Sequence, residues 1–152
     1  MASVEKEDEM NIKIRRAKNK DINSVYILGE QVDELKFSNK NFHEKFELKH
    51  FLKGKDNIFL VAEIDKKVEG FLYAKIISKD WCMLDNLVVS KKFRNNGMGS
   101  QLLEELYKLL KKMKVDYIQV IEDVTKKKTR EFWRNKGFKE QKVFVWADKI
   151  LK

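Results

Sequence analysis

The 152-residue sequence has no proline, one cysteine, two histidines and six glycines. Cys82, being alone, excludes an intramolecular disulfide, and the acidic opening MASVEKEDEM reads as neither a signal peptide nor a transit sequence, so a reducing, cytoplasmic setting is expected. No apolar run approaches the roughly 20 residues needed to cross a bilayer, which leaves the membrane out. His43 and His50 lack cysteines or carboxylates at ligand spacing, so no metal is expected. In a chain so poor in glycine, the pair Gly97 and Gly99 calls for a reason.

What is abundant is charge. Charged residues make up 38% of the chain, and 33 Lys plus Arg against 24 Asp plus Glu leave a net +9, a balance that suits nucleic acid, an anionic surface or a polyphosphate ligand. The basic excess is scattered and forms no aromatic-interleaved stripe, which speaks against a nucleic-acid-binding protein. Hydrophobic residues at 43% in a chain of this length supply one core. The expected organisation is a polar leader over 1–11 and a single domain over 12–152.

Periodicity predicts the elements. IKIRRA (12–17) alternates as a short strand, and 20–37 carries apolar residues at helical spacing behind Asp21, a candidate cap. Phe42, Phe46, Leu48, Phe51 and Leu52 suggest a second short helix. Residues 58–64, 68–77 and 81–89 read as strands with very short connections, hence an antiparallel meander. From Gly99 the spacing of Leu102, Leu103, Leu106, Leu109, Leu110 and Met113 makes a helix, and 115–121 a buried strand parallel to 81–89 through a right-handed crossover. A helix over 125–138, closed by Gly137, and an alternating strand over 142–150 complete the chain.

The stretch LDNLVVSKKFRNNGMGSQLLEEL (84–106) runs from strand to helix through the glycine pair. Amides at a helix start lack intrahelical partners and the helix dipole favours negative charge there, so two glycines let an anion approach closely, and Arg94 can add a charge-assisted contact. No G-K-[ST] follows, so this is not a Walker loop, and the third glycine and acidic residue of a dinucleotide fingerprint are missing. By itself a G-x-G turn is equally a tight turn whose glycines supply positive φ.

The combination of strand, R-x-x-G-x-G loop and helix resembles the acetyl-CoA-binding segment of the GNAT superfamily of N-acetyltransferases. REFWRNKGFKE (130–140) resembles that family's second signature, an aromatic pair followed after three residues by Gly-Phe. The resemblance covers about 12–150 and implies an α+β fold, a mixed, mostly antiparallel central sheet of six to seven strands flanked by about four helices. It implies acetyl-CoA as cosubstrate, held where strands 81–89 and 115–121 splay apart. On that alignment the Leu87 amide is the oxyanion donor, Val88 and Val89 line the pantetheine arm through the backbone, and Asn95, Asn96, Gly97, Met98, Gly99 and Ser100 cradle the pyrophosphate beside Arg94. Met98 is expected to anchor the helix start in the core.

The resemblance also sets the catalytic expectations. Asp85 stands two residues before Leu87, where many members carry a glutamate, and strand alternation predicts both side chains on one face, so Asp85 is the candidate base, directly or through water. The family's usual general acid, a tyrosine, is replaced by Trp133, whose indole donates a hydrogen bond but no proton at neutral pH. Trp133 is expected to shape the thioester end of the cofactor tunnel. Lys126–Lys128 are a weaker candidate for the ribose phosphate, a solvated helix face being the blander account. Cys82 is expected to pack as a small hydrophobe, and Glu30, Asp33 and Glu34 to lie on a helix bordering the acceptor site. The acceptor is an amine of unread identity: small molecule, polyamine or protein amine. The chain could pair as a homodimer, and a non-catalytic CoA-binding module on the same fold is the competing function.

Overall fold

The structure, a computed structural model, describes residues 10–32 and 43–151. These fall into two compact units, one ending at Val120 and the other beginning at Ile121. Part of the first predicted helix, with Asp33 and Glu34, and Phe42 of the second lie outside the described residues.

The first unit is a five-stranded sheet in the order β1-β2-β3-β4-β5. Its strands are β1 (Lys13–Arg16), β2 (Asn57–Ile64), β3 (Lys67–Ser78), β4 (Trp81–Val89) and β5 (Tyr117–Gln119). The first four pair antiparallel and β5 pairs parallel to β4. β2 and β3 are joined through Asp65 and Lys66, both at positive φ, a turn whose twist suits a hairpin. α1 (Ile22–Glu30) and α2 (Lys45–Phe51) cover one face, where Ile22, Val25, Leu28 and Leu48 pack with Phe59, Val61, Phe71, Tyr73 and Val88. Leu60, Leu72 and Ala74, alternating with those strand residues, point to the other face, which α3 (Met98–Lys112) covers with Met98, Leu102, Leu103, Leu106 and Leu110.

An ion-paired hub ties the start of this unit together. Arg15 of β1 donates to both Asp21 oxygens, at 2.7 and 2.8 Å, and from Nε to Glu63 of β2 at 2.6 Å. Asp21 turns its carboxylate to Arg15 and to the Lys18 N–H, 2.7 Å away, and makes no side-chain cap on α1. Burial pushes the Asp21 carboxyl up, but those hydrogen bonds outweigh it and hold the group below its ordinary value.

β5 is shorter than the predicted 115–121, for a reason at the end of α3. The Lys114 N–H bonds the Lys111 carbonyl at 3.2 Å, and the Val115 N–H the Leu110 carbonyl at 2.9 Å, with Lys114 at φ +58. This is a Schellman closure, and it claims Val115 for the helix stop. Among the described residues the sheet has five strands, a correction to the predicted six to seven. No strand forms over 142–150, where Val143, Phe144 and Val145 are 79%, 80% and 92% exposed. Alternation prepares a segment for a sheet, but a strand exists only where another edge supplies its hydrogen bonds.

The second unit holds α4 (Lys127–Asn135). Asp123 accepts from the Thr125 N–H and hydroxyl ahead of it, and Arg130 grips both oxygens of Glu140 at 2.7 Å while reaching the Val124 carbonyl. Its end repeats the Schellman pattern: Gly137 N–H to the Arg134 carbonyl, Phe138 N–H to the Trp133 carbonyl, and Gly137 at φ +88. The Trp133 and Phe138 rings meet at 5.0 Å, the apolar contact that accompanies such a closure.

Candidate active site

The loop after β4 is built from backbone. A 3-10 turn over Lys91–Phe93 leads to Asn95 at φ +64 and Gly97 at φ +80. A Cβ on Gly97 would meet nothing within 4 Å, so glycine serves conformation here and leaves open space above the loop. The first bond of α3 runs from the Gln101 N–H to the Gly97 carbonyl at 3.0 Å, so the Met98, Gly99 and Ser100 amides precede the helical ladder and point out of its start. Met98 is 1% exposed, and its Sδ lies 2.7 Å from where a Cβ on Gly70 of β3 would stand. It anchors the helix start, and β3 needs a glycine to admit it.

β4 shows which backbone groups are free. The Ser90 N–H donates to the Glu69 carbonyl of β3 at 2.8 Å. In an antiparallel ladder both polar groups of a residue point the same way and successive residues alternate, so Asn86 and Val88 also face β3, whereas Leu87 and Val89 face the β5 side. There, β4 pairs with β5 only through Trp81, Cys82 and Met83. The Leu87 and Val89 amides and carbonyls therefore border a parting of the two strands. Arg94 Nε donates to the Val89 carbonyl at 3.1 Å, and a carbonyl oxygen has a second lone pair with which it can accept from another donor. Ser90 Oγ is buried with no hydrogen-bond partner among the described residues, a spare polar group at the strand's end.

Asp85 is the extra residue of a β-bulge. Tyr73 pairs with Asn86 and Ala74 with Leu84, leaving Asp85 unopposed in β3. The bulge changes the parity of the strand. Asn86 and Val88 lie across from Tyr73 and Phe71, on the face of α1 and α2, and Leu87 lies across from Leu72, on the face of α3. Asp85, by contrast, acts on Tyr73 and is acted on by His43 and Lys75. The expectation that the Asp85 and Leu87 side chains share a face is thus overturned by the bulge, while the Leu87 amide keeps its direction toward the parting.

The electrostatics suit a base. Solvent reaches Asp85, yet surrounding atoms crowd its carboxyl, and the lost hydration pushes it above its ordinary value against the pull of His43 and Lys75. Burial, with Asp85 adding to it, pushes the Tyr73 hydroxyl up to about 12 and the Cys82 thiol up to about 11. Cys82 is fully buried and holds its proton at neutral pH, so it packs as a small hydrophobe. Among the described residues no three His, Cys, Asp or Glu side chains gather as they would around a metal ion, and no helix is long and apolar enough to cross a membrane.

Asp85, Leu87, Val88, Val89 and the loop from Arg94 to Ser100 thus form one continuous run of the first unit. Trp133 belongs to the second unit, buried between Phe132 and Phe138, with Lys126, Lys127 and Lys128 exposed at the start of its helix.

The model of the acetyltransferase (GNAT) domain matches residues 55–140, more than half of the chain. The chain belongs to the GNAT acetyltransferase family. No curated protein sequence matches it significantly. Solved structures with the GNAT fold do. An aminoglycoside acetyltransferase from an uncultured soil metagenomic sample, in complex with sisomicin, superposes with a TM-score of 0.76 at 19% identity over 93% of this chain and 97% of that one. Ard1 from Thermoplasma volcanium gives 0.75 at 20% identity over 86% and 84%. The PaiA N-acetyltransferase from Thermoplasma acidophilum, in complex with coenzyme A, gives 0.72 at 19% identity over 89% and 94%. Within this GNAT fold His43, Tyr73 and Lys75 are the neighbours of Asp85 that sequence spacing did not connect to it. They come from a helix start and an adjacent strand, and only the folded sheet brings them together.

Proposed function

We propose that the chain is an acetyl-CoA-dependent N-acetyltransferase acting on a primary amine by direct attack in a ternary complex. The observation that carries the reading is the run of unpaired backbone: Leu87 and Val89 facing the parting of β4 from β5, followed by the amides at the start of α3. Acetyl-CoA supplies a thioester activated toward amines. The amides of Asn95 to Ser100 would hold its pyrophosphate, with Arg94 alongside, and Val89 would border the pantetheine arm; the expectation for Val88 is corrected, since its backbone is turned to β3 and its side chain is buried in the core under α1 and α2. The Leu87 N–H would donate to the oxygen that gains charge as the amine adds.

The amine's own proton is the larger obstacle. A lysine-like ammonium with pKa about 10.4 costs about 4 to 5 kcal/mol to deprotonate at pH 7, so a base is needed, and Asp85 or a water it holds fills that place. The departing thiol, with a pKa near about 8.5, needs only about 2 kcal/mol of help, so Trp133 in place of a tyrosine is tolerable. The test is thiol release from acetyl-CoA across spermidine, a lysine-bearing peptide and sisomicin. Amine-dependent release supports the assignment. Tight binding of CoA with no release from any amine favours the non-catalytic module, and no affinity for CoA sinks both.

A further inference from the structure

His43 stands just ahead of Glu44, the cap of α2, and its imidazole is held on several sides. Its Nδ1 is 3.5 Å from Glu47 Oε2, and its ring meets Phe51 edge-on at 4.9 Å. Phe51 in turn lies flat on Tyr73, 4.1 Å apart and 9° from parallel. Tyr73 is the cross-strand partner of Asn86, the residue beside the bulged Asp85, and its hydroxyl is directed to Asn57 at 3.1 Å. The chain of contacts from α2 through Phe51 and Tyr73 therefore brings an imidazole to the neighbourhood of the one carboxylate that the bulge turns out of register. The titratable groups that interact with this pair are Glu47 from α2, Lys75 and the Tyr73 hydroxyl from β3, and the Cys82 thiol from β4.

Resting on the transferase reading above, we propose that Asp85 does not act as the base alone: His43 is the group that takes the acceptor's proton, directly or through the water Asp85 holds, with Glu47 orienting its imidazole and Asp85 stabilising the imidazolium that forms. Imidazole is the side chain whose charge changes near neutrality, so it can accept a proton from an amine and return it to water in the same turnover, which a carboxylate does less well. The ammonium N–H bond breaks and its electron pair stays on nitrogen, then forms the C–N bond to the acetyl carbon. The C–S bond breaks with its pair on sulfur, which takes the second proton that the nitrogen gives up after adding, and the net reaction sends the first proton to solvent by way of His43.

The chain has two histidines, and each is replaced in turn while the reaction is assayed with the best acceptor of the panel. His43→Gln is expected to lower kcat about 100-fold and to flatten the acid limb of kcat/KM, with KM for acetyl-CoA within twofold. His50→Gln, on the exposed side of α2, leaves both unchanged. Asp85→Asn is expected to add little further loss of kcat on top of His43→Gln, because the carboxylate acts through the imidazole. An unchanged pH profile in His43→Gln, or an Asp85→Asn loss as large in the His43→Gln protein as in wild type, overturns the proposal while leaving the transferase reading intact. A wild-type protein that acetylates no amine overturns both. Should His43→Gln not fold, the same cycle built on His43→Asn decides.

Discussion

Asp85 illustrates a conflict that a single residue can carry. Its carboxyl is raised above its ordinary value, so the folded state holds the proton more tightly than the unfolded chain does. The favourable contribution of that proton is complete at pH below the unfolded value and is lost as pH rises through the folded one. At neutral pH the ionised group is thus a liability for stability and, on the function proposed above, an asset for proton transfer. Asp85→Asn is expected to raise Tm in a thermal melt at pH 7 while lowering kcat about 100-fold in the thiol assay. The sequence made Asp85 legible through its place before Leu87 and Val89. It hid the bulge: two polar residues, Asp85 and Asn86, follow one another there, and nothing in the sequence says which of them is left without a partner in β3. It hid the electrostatic influence of His43 on Asp85 as well, since nothing local connects a helix start to the fourth strand.

At the scale of elements, β3, β4 and α3 meet at one contact. Gly97 gives the loop its left-handed residue and Gly70 gives Met98 its seat. The two glycines predict different failures. Gly97→Ala puts a side chain at φ +80 at a cost of about 1–2 kcal/mol and weakens CoA binding with modest effect on the core. Gly70→Ala forces Met98 and the helix start to shift, since neither the Met98 sulfur at 2.7 Å nor the Val88 carbonyl at 3.0 Å leaves room, so CoA affinity and Tm fall together. Calorimetric titration of CoA beside a thermal melt separates the two. The meander and α3 were readable because their periods, two and 3.6, are written locally. The extent of β5 was not, because the Schellman closure of α3 competes for Val115, and 142–150 was misread because its alternation says nothing about whether an edge is there to meet it.

On the scale of the whole first unit, Arg15 binds β1, the approach to α1 and β2 through two carboxylates. Asp21 is held below its ordinary value, so its contribution is complete above the unfolded pKa of about 3.9 and is lost as pH falls through the folded value. Asp21→Asn, by leaving Arg15 partly unmatched, is expected to cost about 3 kcal/mol, or about 6–12 °C in Tm, at pH 7. Melts of both proteins at pH 7 and near pH 2 check this, the gap between them narrowing in acid. The parting of β4 from β5 has a further side. A row of unpaired amides and carbonyls that can receive a pantetheine arm is, to the backbone, indistinguishable from an invitation to any extended peptide. Arg94, laid across the Val89 carbonyl, occupies one end of that row. On the function proposed above it would act as a doorkeeper as well as an anion-binding group, a bulky cation standing where a stray strand would otherwise begin to add.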